Sequence, residues 1–396
     1  MVGQMDNVMT IKRMKNYIKY IFVKFVELLF YIKYIITHKK NINYSKSFKK
    51  IALISVKPMG IGDLIMDTPF IKTIRKNFPD SEIHLITDKD IFDKVNELDK
   101  IIILNGNIFE LLKEFYKLRK ENYDLGIIMN RCINQTIYLE LLNPKYKLGY
   151  LAGWKILANF NLKKENLKFT KNEHYWNMAL KIAKSLGTDN LEEKLINVDY
   201  PENVKRNAKK VFDDLKLDKT KKTIVINPFV LWESRKWNEN NYVKLIEQIH
   251  NDFNIVLYGG PDSLESVEYI QKKLKEKNIN VKSVAGKLKL KEAIYFLKFA
   301  DLFITSDSGP MHFAFLMGAP TLTLFGPVNP VYRLPKNFKK YKIYDYLWYH
   351  DFKPLKKFYN YEYEYINKEI NGLKAIPVED VKNKIYGFFE KGERFY

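Results

Sequence analysis

Beyond residue 50 the chain alternates between short apolar runs and longer stretches in which apolar side chains return every three or four positions. The runs predict strands over 51–56, 82–87, 100–104, 125–129 and 147–150, and the periodic stretches predict helices over 64–77, 108–121, 133–142 and 172–186. Residues 151–168 follow neither period and read as irregular; 201–222 is a charged stretch leading into a second half. There the rhythm resumes, with strands over 223–227, 254–258, 281–284, 302–305 and 321–325 between helices over 241–251, 264–277, 291–300 and 311–317. A last helix is expected over 378–390. Such alternation predicts mainly parallel sheets, and two sets of it predict an α/β chain whose halves face each other across a cleft.

The stretch 300–330 carries the densest pattern. An apolar strand runs into Asp307-Ser308-Gly309-Pro310, residues that start helices, and Gly318-Ala319-Pro320 stops the short helix before the next strand. Unpaired N–H groups and the helix dipole at such a start attract anions, so Ser308 and Gly309 are placed to meet a diphosphate. Asp307 would serve equally as a helix N-cap. His312 lies one turn further on, and Phe325-Gly326-Pro327 forms a second loop at the next strand end. In the first half, Gly60 and Gly62 mark another turn from strand to helix, but Ile65 stands where a dinucleotide fingerprint needs its third glycine.

Residues 1–48 form a separate unit. At about 100° per residue, the charged positions between Lys12 and Lys33 gather on one half of a helical wheel over 12–36. The other half is apolar and aromatic, including Phe22, Phe25, Leu29 and Ile36. Charges interrupt every run before the roughly 20 residues that a bilayer requires, so the pattern predicts a helix lying in an anionic membrane surface; docking on the protein's own body is the alternative. A net charge of +21 favours a polyanionic neighbour without choosing among lipid, phosphorylated substrate and nucleic acid. No nucleic-acid motif is present, and none is expected as a partner. The single cysteine, Cys132, and six scattered histidines predict a reducing cytoplasm and neither an internal disulfide nor a metal site.

Five segments in order resemble glycosyltransferase family 9, the heptosyltransferase family of lipopolysaccharide core assembly. They are KPMGIGDLIMDTP (57–69), NPFVLWESRKW (227–237), VLYGGPD (256–262), AGKLKLKEAIYFLKFA (285–300) and 306–330. The resemblance implies a GT-B architecture of two Rossmann-like domains, an acceptor domain over 49–215 and a nucleotide-sugar domain over 216–345, with a tail and closing helix over 346–396. It implies inverting, metal-independent transfer, without a cofactor, of a sugar, often heptose from ADP-heptose, to a glycolipid acceptor. The helix over 12–36 would hold such an enzyme on the inner face of the cell membrane. Another GT-B transferase of surface glycan synthesis, or a non-catalytic nucleotide-sugar-binding protein, remains open on these motifs.

Residue by residue, Asp63 matches the family's base, although it would also cap the helix after it. Ser234, Arg235 and Lys236 fall where the departing diphosphate needs cations and a hydroxyl; the family commonly has lysine at the position of Arg235. Asp307 would hold donor sugar hydroxyls, with Ser308, Gly309 and His312 near the diphosphate. Gly259 and Gly260 would approach the nucleoside and Leu288 the base, while Arg131 would meet an acceptor phosphate.

Overall fold

The computed structural model describes residues 47–56, 60–129, 134–151, 155–158, 175–188, 190–326, 328–335, 344–348, 373 and 375–390. The helix expected over 12–36, Arg131, Cys132 and most of the tail over 346–372 lie outside the described residues. Among those described, no helix is long and apolar enough to cross a membrane.

The N-terminal sheet comprises β1 (Lys50–Ser55), β2 (Glu82–Thr87), β3 (Lys100–Ile103), β4 (Leu125–Ile128), β5 (Tyr146–Leu151) and β6 (Lys155–Ala158), in the order β3-β2-β1-β4-β5-β6. All neighbours are parallel except β5 and β6. Ile51 sits opposite both Ile83 and Leu125, a register that buries β1 on both faces and accounts for its unbroken apolar run. The accompanying helices are α1 (Ile61–Met66), α2 (Thr68–Asn77), α3 (Ile108–Leu118), α4 (Asn134–Leu142), α5 (Tyr175–Ser185) and α6 (Glu202–Asp213).

The second sheet is wholly parallel: β7 (Lys222–Ile226), β8 (Phe253–Leu257), β9 (Lys282–Ser283), β10 (Leu302–Ser306), β11 (Thr321–Phe325) and β12 (Tyr344–Trp348), in the order β12-β11-β10-β7-β8-β9. Its helices are α7 (Glu239–Ile249), α8 (Leu264–Lys275), α9 (Leu290–Phe296), α10 (Gly309–Met317) and α11 (Val378–Glu390). Each sheet therefore reverses its winding between its first and fourth strands, at β1/β4 and at β7/β10. Chain leaving the carboxyl ends of strands at such switch points lines the ligand crevice of doubly wound sheets.

The two lobes meet through α1 on α10 and α6 on α9. Leu64 and Ile65 of α1 belong to the same buried cluster as Phe313 and Ala314 of α10. A second cluster lies within the C-terminal lobe and takes in Val381 and Ile385, so α11 closes that lobe against α7.

Five expectations need correction. The helix over 64–77 is two helices: it starts at Ile61 and breaks at Asp67, because Pro69 has no N–H to continue the first helix's ladder. Asp63 is consequently inside the first turn and not its N-cap, which is Gly60. The irregular segment 151–168 includes β6, and the charged stretch 201–222 includes α6, whose buried Val204 and Ala208 are spaced by one turn among charges. At α10 the cap is Ser308, not Asp307; the aspartate is occupied elsewhere.

Candidate functional site

The site is built at the carboxyl ends of β1, β7 and β10. The turn after β1 brings Gly60 N–H to Asp63 Oδ2 at 2.9 Å, which ties the carboxylate back onto its own helix start. The other oxygen, Oδ1, lies 3.7 Å from Arg333 Nη1 of the opposite lobe. Arg333 follows the short helical turn Pro330–Tyr332 beyond β11, and its backbone N–H donates to Pro330 O at 2.9 Å. The packing here is tight. A Cβ added to Gly62 would stand 2.4 Å from the His312 ring, so α1 reaches α10 only because this position lacks a side chain.

After β7 the chain turns through Glu233–Arg235 and is anchored by Trp237, which is fully buried, donates from Nε1 to Ile376 O at 3.0 Å and meets the Tyr242 ring edge-on at 4.7 Å. That anchor fixes Arg235, whose Nη1 lies 3.3 Å from Asp307 Oδ2 and donates to Asp307 O at 3.3 Å. The arginine side chain is mostly shielded from solvent and the aspartate almost completely buried. Gly326, in the loop after β11, abuts the same turn: a Cβ there would lie 2.9 Å from Ser234 O. Ser234 Oγ is buried and has no hydrogen-bond partner among the described residues.

Ser308 caps α10 in extended conformation, and its Oγ donates to Ser306 O at 3.2 Å. His312, one turn in, is buried and meets Phe315 edge-on. Burial pushes its imidazole down from 6.5 to about 3; the Asp307 carboxylate opposes this, while the Arg333 and Arg235 guanidiniums reinforce it. The ring is therefore a neutral hydrogen-bonding group at physiological pH and not a cation. The unfolded chain takes up a proton at this position below 6.5, whereas the folded protein refuses it until about 3, so His312 withdraws stability as pH falls through that window. In His312→Gln the decline in melting temperature between about pH 7 and about pH 5 should be shallower than in the parent. Identical slopes would show that the imidazole titrates normally.

Asp63, Arg235, Asp307, Ser308 and His312 are thus drawn together, with Gly309 opening α10 beside them. The other expected residues fare differently. Lys236 is paired with Glu239 at 2.7 Å at the start of α7. Gly259 is required by its own turn, since a Cβ would collide with Ser263, whereas Gly260 faces open space. Leu288 packs against the central cluster, and Arg131 lies outside the described residues. Sequence reasoning missed Arg333; its signal was a lone arginine shortly after the Phe325-Gly326-Pro327 strand end, already a candidate loop.

A family model described as glycosyltransferase family 9 (heptosyltransferase) matches residues 111–361, well over half of the chain. The chain belongs to this family. It is a glycosyltransferase. The transferase is 27% identical to lipooligosaccharide heptosyltransferase 2 of Campylobacter jejuni, over 69% of this chain and 80% of that one. Its fold is GT-B, shared with a family 9 glycosyl transferase from Veillonella parvula (TM-score 0.67, 19% identity, 88% of this chain and 99% of that one). It is equally similar to the E. coli ADP-heptose lps heptosyltransferase II (TM-score 0.67, 17% identity, 87% and 99%). Arg235, Asp307, His312 and Arg333 fall inside the matched stretch, and Asp63, which contacts Arg333, precedes it.

Proposed function

We propose that this glycosyltransferase moves a heptose from ADP-heptose to a lipopolysaccharide core or related surface glycolipid, with inversion at the anomeric carbon and without a metal. One juxtaposition carries the reading: the Asp63 carboxylate from one lobe meets Arg333 from the other where α1 packs on α10, beside the Arg235–Asp307 pair. The names of the relatives, lipooligosaccharide and ADP-heptose heptosyltransferases, supply the sugar and acceptor class.

In this mechanism the acceptor, held by the N-terminal lobe, presents a hydroxyl to Asp63. Asp63 takes the proton as the oxygen attacks the anomeric carbon from the face opposite the diphosphate, and the bond from that carbon to the diphosphate oxygen breaks. The departing charge grows in front of the α10 start, where Gly309 offers its N–H and where Arg235 and Arg333 place guanidiniums that can grip phosphate oxygens in pairs. Ser234 Oγ, buried without a hydrogen-bond partner among the described residues, is available to the same oxygens. Asp307, held by Arg235, orients donor hydroxyls, and neutral His312 donates or accepts a hydrogen bond without adding charge. The enzyme would work in the cytoplasm at the inner face of the membrane, where lipid-linked acceptors lie.

A thermal-shift panel of ADP-, UDP-, GDP- and CDP-sugars tests the donor. At about a hundredfold excess over Kd a ligand of the native state adds about 2.7 kcal/mol, a rise of several degrees. ADP-heptose should give the largest shift; a larger shift from a UDP-sugar, with none from ADP-heptose, would overturn the donor assignment.

A further inference from the structure

The helix α3 begins directly beyond β3, at the same strand-end edge of the N-terminal lobe as the turn that carries Asp63. Its start is rigidly made. Asn107 Oδ1 accepts from Phe109 N–H at 2.9 Å and Glu110 N–H at 3.2 Å, and Glu110 closes on Asn107 N–H at 2.6 Å. One face buries Leu111 and Phe115, the latter stacked on Tyr138.

The opposite face is unusual for a water-soluble surface. Phe109 is 78% exposed and Tyr116 61%; with Ile108, 54% exposed on the flank of the buried face, three of the seven exposed large hydrophobic side chains among the described residues belong to this one helix. At about 100° per residue, Phe109, Lys113 and Tyr116 fall within a sector of about 60°, and exposed Lys120 follows in the 3-10 turn Arg119–Glu121 that continues the helix, so basic residues adjoin both rings along one stripe. Glu110 and Glu114 lie outside that sector, and Glu114 pairs with Lys117 at its margin. Lys113 and Lys120 have no carboxylate partner among the described residues.

We propose that this stripe docks the acceptor lobe on an anionic lipid bilayer. The proposal rests on the reading of the acceptor as a glycolipid. Rings with one apolar body settle at the boundary between headgroups and acyl chains, and lysines beside them meet the headgroup phosphates. The charge pattern selects lipid over a protein partner: the cations share the stripe with the aromatics and the acids are turned off it.

The test uses the full chain, residues 1–48 included, and vesicles of phosphatidylglycerol mixed with phosphatidylcholine against phosphatidylcholine alone. Two double variants are compared, Phe109→Ser with Tyr116→Ser and Lys113→Glu with Lys120→Glu; all four side chains are exposed, so both proteins should fold. Each lysine near an anionic surface is worth about fivefold in partitioning, so the lysine pair should lose at least tenfold on anionic vesicles. The aromatic pair should lose a similar factor. Transfer to an acyl-free oligosaccharide acceptor should be unchanged in both. Unaltered vesicle binding in both variants would overturn the proposal, as would a concentration-dependent dimer of the parent that the aromatic variant converts to monomer. Failure of the parent to transfer any heptose to the soluble acceptor would instead sink the reading of the reaction, and the vesicle result would stand apart from it.

Discussion

Asp63→Asn should lower turnover by about two to four orders of magnitude, the range that general base catalysis commands, while leaving donor affinity within a few-fold of the parent. Asparagine keeps an oxygen for the Gly60 N–H that now reaches Asp63 at 2.9 Å, so the first turn of α1 should survive. What it loses is the lone pair that takes the acceptor proton. The contact with Arg333, at 3.7 Å and partly open to solvent, is worth under about 1 kcal/mol, so stability should barely change. Single-turnover assays with saturating donor separate the chemical step from binding, and the donor-induced thermal shift reports affinity independently. Full turnover in the variant would remove Asp63 from the mechanism.

Arg235→Met should lose about a hundredfold to a thousandfold in turnover, because a guanidinium facing the leaving diphosphate is a preorganised charge in a site sheltered from water. It should also destabilise the protein by about 3–5 kcal/mol, since Asp307 would remain buried with its partner gone. The two effects can be separated. Adding Asp307→Asn to Arg235→Met relieves the buried charge, so urea unfolding should recover much of the lost stability while turnover stays low. Arg235→Lys keeps a cation at this position, and it should retain activity within about tenfold, with the loss reflecting one hydrogen-bonding arm instead of two. If Arg235→Met kept parental turnover once stability was restored, the diphosphate would have to be neutralised elsewhere.

Much of the architecture was legible because buried parallel strands leave a strong local trace. The runs 82–87 and 321–325 coincide with β2 and β11, and the helix over 378–390 coincides with α11. The failures have local causes too. The charged stretch that contains α6 concealed a helix that needs only a narrow apolar seam, Val204 and Ala208, to sit on α9. The break at Asp67 depended on Pro69, whose effect on the ladder a wheel over 64–77 averages away. Asp307 was read as a cap because aspartate favours that position; the structure gives the position to Ser308 and the carboxylate to an arginine 72 residues away.

The sequence by itself determined where strands end and helices begin, and hence that positions 63, 234–236 and 307–312 lie at strand ends, since periodicity and turn residues act over a few neighbours. It also carried the family. Only the tertiary structure decided which of these side chains share one site: that Asp63 faces Arg333 across the lobes, that Arg235 holds Asp307 while Lys236 pairs with Glu239, and that His312 is neutral. Those outcomes depend on Coulomb interactions and on desolvation, both set by distance and burial through space, and neither quantity has a signature in the order of residues along the chain.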